Sequence, residues 1–138
     1  MRDLGIAYGA SRQALKWSNK TISFENLKER LKHTLRTPES AEEYAKMSKA
    51  DRDQAKDHGG FVAGVRIGGR RKVDTVESRS MISLDGDRID VAFLDGFEEN
   101  MPYTAALYTT HSSTEEKPRV RIIIPMTRDT SPEEFAAV

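Results

Sequence analysis

Between Ser80 and Pro125 the chain carries two carboxylates, an imidazole and two guanidiniums, a set suited to holding a metal-bound triphosphate. They fall in Ser80-Met81-Ile82-Ser83-Leu84-Asp85-Gly86-Asp87, in Tyr108-Thr109-Thr110-His111-Ser112 and in Pro118-Arg119-Val120-Arg121. Each stretch reads as a strand or a strand end. Residues two apart on a strand share a face, so Asp85 and Asp87 can point one way, as can Arg119 and Arg121. Carboxylate pairs suit Mg²⁺ or Mn²⁺ carried on phosphates, and guanidinium forks suit the phosphate oxygens themselves. The apolar Met81, Ile82 and Leu84 describe a buried strand that delivers its carboxylates at the end.

Each group also has a plainer reading. Asp85-Gly86 is the commonest hairpin-turn dipeptide. A histidine at a strand end serves as a structural hydrogen-bonder, and Ser112, Ser113 and Thr114 are ordinary loop residues as well as phosphate-binding hydroxyls. Arg119 and Arg121 alternate with Val120, Ile122 and Ile124, which also describes a charged edge strand that resists aggregation. Other chemistries are excluded. A helix-loop-helix calcium site fails because Ile89 and Gly96 stand where acidic ligands belong. Gly64 to Arg71 is no phosphate loop, since Arg70 and Arg71 replace the required Lys and Ser/Thr. The single His111 lacks the second histidine that a rolling-circle nuclease uses.

With 32% charged and 37% hydrophobic residues, the 138-residue chain has the balance of one globular domain. The absence of cysteine removes disulfides, thiolate metal sites and a thiol nucleophile. No apolar run approaches the roughly 18 residues of a membrane span, so a cytoplasmic protein is the default expectation. Net charge is zero but unevenly spread. Residues 1–36 hold eight Lys/Arg against three Asp/Glu, and Arg66, Arg70, Arg71 and Lys72 follow with no acid among them. Residues 74–100 reverse the balance, with eight acids against two bases. A basic surface beside an acidic, metal-attracting one would follow if folding keeps these segments apart.

The positioning elements are legible from caps and periodicity. Gly5 to Ser11 has short strand character, and a polar link through Trp17 and Asn19 follows. Ser23 N-caps a predicted helix from Phe24 to about Arg36, with Phe24, Leu27, Leu31 and Leu35 as its apolar stripe. Thr37-Pro38 stops it. Ser40 and Glu43 have capping-box spacing and open a second helix to about Lys56, with a break near Ser48 and Gly59-Gly60 as its end. Phe61–Ile67 reads as a strand, Gly68-Gly69 as a hairpin turn, and Arg70–Val73 as the return strand. Strands over Ser80–Leu84, Ala105–Thr110 and Arg119–Ile124 follow, with a short helix or loop over Val91–Asn100. The class is α+β, mostly antiparallel, with two N-terminal helices. Ser131-Pro132-Glu133-Glu134 opens a last helix about one turn before Val138, so a truncated domain that continues past residue 138 is expected.

In order and spacing these motifs resemble the N-terminal part of phage and mobile-element primase-polymerases of the archaeo-eukaryotic primase superfamily, often described as virulence-associated E-like. Thr37-Pro38-Glu39 with Glu43-Tyr44 resembles that family's early helical region. Lys56-Asp57-His58-Gly59-Gly60-Phe61 is similar to its Lys-Asp-x-Gly-Gly-Phe segment. The strand around Asp85-Gly86-Asp87 resembles its metal strand, the one ending at His111 its histidine motif, and Pro118 to Pro125 the strand after it. The resemblance implies an RRM-like core, residues 1–60 as a helical lead-in and 61–138 as the sheet bearing the motifs. It implies that Asp85 and Asp87 ligate Mg²⁺ or Mn²⁺, that His111 and Ser112 meet a nucleoside triphosphate, and that Arg119 and Arg121 neutralise it. Single-stranded DNA would be the template, with a fused or partner helicase. The family's third acidic residue has no match after Arg121, so it is expected beyond residue 138 and the fragment alone is expected to be inactive. The alternatives are a non-catalytic module gripping nucleic-acid backbone with Arg66, Arg70, Arg71 and Lys72, and a phosphodiesterase using the same acids.

Overall fold

The computed structural model describes residues 1–137. Strand β1 (Leu4–Gly9) lies between β2 (Ser18–Ile22) and β3 (Gly60–Val62), antiparallel to both. A second antiparallel sheet has the order β4 (Val65–Arg66), β5 (Val76–Gly86), β7 (Val120–Thr130), β6 (Ala106–Thr109). Helices α1 (Phe24–Leu31), α2 (Ala41–Lys46), α3 (Lys49–Ala55), α4 (Val91–Asn100) and α5 (Pro132–Ala136) complete a mixed α+β architecture, the class expected from the sequence. None of the described helices is long and apolar enough to cross a membrane.

One core joins the two sheets. Leu4, Ile6, Ile22, Phe24, Leu27 and Ala63 meet Met81 and Ile123, so residues before and after position 60 share the same interior. Close approach of the sheets is needed for this. The Ser80 hydroxyl donates to the Gly5 carbonyl, and a Cβ on Gly5 would stand 3.0 Å from Val65. Gly64, at φ 139°, lies so tight on β5 that any Cβ would overlap the Ser78 carbonyl.

Most caps fall where the sequence put them. Ser23, Ser40 and Ser48 each accept from the amide three residues on, and Ser131 with Glu134 forms a full capping box. The expected second helix is therefore two helices, broken at Met47-Ser48. Five expectations need correction. The strand expected over Phe61–Ile67 is parted at Ala63-Gly64 into β3 and β4, which pair in different sheets. Helix α1 ends at Leu31 rather than near Arg36, and Leu35 is 72% exposed. A helix this short persists only where packing supports it, and residues 32–36 are all exposed. Gly59 does not cap α3, whose C-cap is Lys56; it is glycine because at φ 73° a Cβ would strike the Gly9 carbonyl. Gly68-Gly69 makes a turn, yet Arg70–Val73 does not return as a strand: β4 pairs with β5 instead. The run Arg70-Arg71-Lys72 has no apolar residue to bury, whereas Val76 and the buried Ser80-Met81 step in β5 do. Finally, the polar link after Trp17 contains β2, whose single buried residue is Ile22. Asn19 anchors it by exchanging 2.8 Å bonds with both backbone groups of Arg66.

Helix α3 is tied to the loop after β1 by charge. Asp53 accepts from Lys56 at 2.9 Å and faces Lys49 and Arg12, each at 3.5 Å. The Lys56 bond chiefly holds its carboxyl down at about 2, against an ordinary 3.8. A depressed carboxylate stabilises the fold fully above its unfolded value and loses that contribution as pH falls through the folded one. The Asp53 ion pairs, that with Lys56 first and that with Arg12 least, are thus expected to survive at pH 4 and fade as pH falls from 3.8 toward about 2. Carboxyl ¹³C shifts of Asp53 across that range check it; a midpoint near 4 would contradict it.

Candidate functional site

Strand polarity gathers the chemistry-bearing residues at one end of the second sheet. Both β5 and β6 run antiparallel to β7, which lies between them. The C-terminal ends of β5 and β6 therefore meet the N-terminal end of β7. That end carries Asp85 and Gly86, then Asp87; Thr109 and Thr110, then His111 and Ser112; and Arg119 leading into Arg121. Two strand spacings, roughly 10 Å, separate the outer strands.

Asp85 and Gly86 stay in the ladder opposite Arg121 and Val120, so the dipeptide makes no hairpin turn. Gly86 is small for packing: a Cβ there would press on Ile89 and Val120 at 3.1 Å. Asp85, Arg121 and Tyr108 form one row across the three strands. Arg121 donates through Nε to Asp85 Oδ1 at 2.6 Å and through Nη2 to Oδ2 at 3.3 Å. That fork is the main reason the guanidinium is held above its ordinary value. Burial raises the Tyr108 hydroxyl, with Arg121 opposing. The pair is half exposed, so its net worth to the fold is about 0–1 kcal/mol. Asp87 follows the strand end and is exposed, as is the side chain of Arg119, whose backbone N–H donates to Ser113 Oγ at 3.0 Å. Among the described residues no three of His, Asp and Glu gather closely enough to hold a metal ion on their own.

His111 has companions that the sequence did not announce. Glu39 Oε1 stands 3.5 Å from its Nε2, the Thr37 hydroxyl is at the same distance, and the Tyr44 ring meets the imidazole edge-on at 4.8 Å. Tyr44 OH and Ser112 Oγ lie 3.0 Å apart. Segment 37–44 thus closes over the turn at 111–112. The Glu39 carboxyl is 9% exposed and held below its usual range, first by the Thr37 hydroxyl and next by a backbone N–H. A contact between residues 39 and 111 leaves no spacing signal in the sequence.

The basic loop is a separate feature. Arg66, expected to grip nucleic acid, is instead buried; it donates to the Lys72 carbonyl at 2.9 Å and pins the loop. Burial, then Arg79 and Arg71, hold its guanidinium below the ordinary value. Gly69 accepts from the Trp17 amide, and Arg71 lies over the Trp17 ring at 5.3 Å. Arg70, Arg71 and Lys72 are exposed, and among the described residues none has a carboxylate at ion-pair distance.

Against known families, the one described as VapE N-terminal domain matches residues 1–138. No curated protein and no solved structure matches the chain.

Proposed function

The chain belongs to the VapE N-terminal domain family, and on that premise we propose that it is the nucleotide-holding part of a primase-polymerase domain in a phage or mobile-element replication protein. The convergence of Asp85, Asp87, His111, Ser112, Arg119 and Arg121 at one sheet end carries this reading. Asp85 and Asp87 supply the hard oxygen ligands that Mg²⁺ or Mn²⁺ takes when phosphates and water fill its other positions. The ion would bridge phosphate oxygens and neutralise their charge. The Asp85–Arg121 fork already joins the two halves of such a site. A metal-triphosphate would exchange partners with it, the carboxylate turning to the cation and the guanidinium to the phosphates. Arg119, exposed and free of a carboxylate among the described residues, is suited to the charge that grows on pyrophosphate as a primer 3′-oxygen attacks the α-phosphorus. Single-stranded DNA as template, a helicase partner and a third carboxylate completing the metal set belong to the same proposal. On this reading 1–138 is one portion of the domain, and nucleotide binding rather than turnover is its measurable activity.

A second reading, a non-catalytic nucleic-acid-binding module, is favoured by the loop Arg70-Arg71-Lys72, docked on Trp17 with its cations exposed. One pair of variants separates the two. Arg119→Ala is expected to weaken Mg²⁺–deoxynucleoside triphosphate binding about tenfold, as loss of one charge-assisted contact of about 1.5 kcal/mol requires. Arg70→Ala/Arg71→Ala should leave that binding unchanged. Calorimetric titration of both reads the outcome. Unchanged nucleotide affinity in Arg119→Ala, with salt-sensitive DNA binding lost in the loop variant, would favour the binding module.

A further inference from the structure

We propose that Glu39 is a positioning residue for His111, fixing Nε2 as the inward donor so that Nδ1 is left to meet the ligand's triphosphate; the ligand half of this inference rests on the nucleotide reading above. Glu39 precedes the Ser40 cap of α2 and is 9% exposed, and its Oε1 accepts from the Thr37 hydroxyl while facing His111 Nε2 at 3.5 Å. Nε2 lies 3.5 Å from both the Glu39 carboxylate and the Thr37 hydroxyl, whose own proton goes to Glu39, so both oxygens face Nε2 as acceptors and select the Nε2–H form. Among the described residues Nδ1 has no protein hydrogen-bond partner. The ring cannot swing away cheaply. Tyr44 packs edge-on against it at 4.8 Å, and the Tyr44 hydroxyl is tied to the neighbouring Ser112 at 3.0 Å.

The arrangement also places charge usefully. When a phosphate oxygen accepts from Nδ1, the imidazole must carry both protons, and the Glu39 carboxylate balances the resulting cation from the far side. Without it, the same contact would rest on a ring free to present either nitrogen. Segment 37–44 is therefore a strap that orients one side chain, and Tyr44 is the member that limits its rotation.

The test uses the full chain and its nearly isosteric variant Glu39→Gln. Long-range ¹H–¹⁵N spectra of the His111 ring are expected to show a fixed Nε2–H form in the parent and an averaged pair of nitrogens in the variant. With Mg²⁺ and a deoxynucleoside triphosphate, His111 Nδ1 should shift in the parent, and the variant should bind about fivefold more weakly. Tyr44→Phe, which keeps the ring and removes the hydroxyl, should fold normally and fall between them. Identical ring spectra and affinity in Glu39→Gln would overturn the proposal. A fixed Nε2–H form that Glu39→Gln releases, in a chain that binds no triphosphate, would uphold the positioning role and overturn the nucleotide reading alone.

Discussion

Phe24→Ala is expected to remove roughly 3–5 kcal/mol of folding stability, while Leu35→Ala changes it by less than about 0.5 kcal/mol. Both residues lie on the same apolar stripe of the sequence, so the contrast tests the fold rather than the composition. Phe24 opens α1 directly after the Ser23 cap and is 1% exposed among Leu4, Ile6, Ile22 and Leu27. Its removal leaves a cavity in the core cluster that joins the two sheets. Leu35 lies past the helix end and is 72% exposed. Since a domain of this size holds only about 5–15 kcal/mol in reserve, the first change should remove a large fraction of it and lower the urea midpoint in proportion. Similar midpoint losses for the two variants would mean that α1 continues to Leu35 and buries it.

The second large effect is chemical. Asp85→Asn/Asp87→Asn is expected to weaken Mg²⁺-dependent nucleotide binding about a hundredfold. Two charge-assisted contacts of about 1.5 kcal/mol each supply that factor. Folding should be nearly unaffected, because the Asp85 and Arg121 side chains are 54% and 40% exposed and Asp87 lies beyond the strand. A lost affinity can therefore be read as a lost site. Calorimetric titration with thermal unfolding as the companion measurement checks both halves. Retained affinity in a folded double variant would assign the two carboxylates to structure, with Asp85 serving only to hold Arg121.

What was legible in the sequence was local. Serine caps at 23, 40 and 131 stood where the code of side-chain acceptors puts them, because a cap is satisfied within three residues, and the break expected near Ser48 is itself a third such start, capped by Ser48. The strands expected over Ser80–Leu84 and Arg119–Ile124 were visible from an apolar run and from alternation, though β5 and β7 each extend to 11 residues and Leu84, expected to be buried, is 48% exposed. What was hidden depended on partners distant in the chain. Strand β2 has one buried residue and exists because β1 and Asn19 hold it. Strand β4 chose β5 over the nearer Arg70–Val73, a decision made by burial and not by the Gly-Gly turn. Arg66 looked like its exposed neighbours until the loop folded back on Trp17 and enclosed it. The site shows the same division. Asp85, His111 and Arg119 were each suspected from strand ends, and strand polarity brought them to one edge. The Arg121 fork and the Glu39–His111 contact follow from cross-strand register and from a strap about half the chain away, neither of which has a sequence period.

The most direct measurement is a titration of Mn²⁺ into the ¹⁵N-labelled chain with saturating deoxynucleoside triphosphate, following paramagnetic broadening of backbone amides. The account predicts broadening concentrated at Asp85 to Asp87, at Thr110 to Ser112 and at Arg119, and absent from Asp85→Asn/Asp87→Asn. Broadening that settles elsewhere, or that survives unchanged in the double variant, would contradict it.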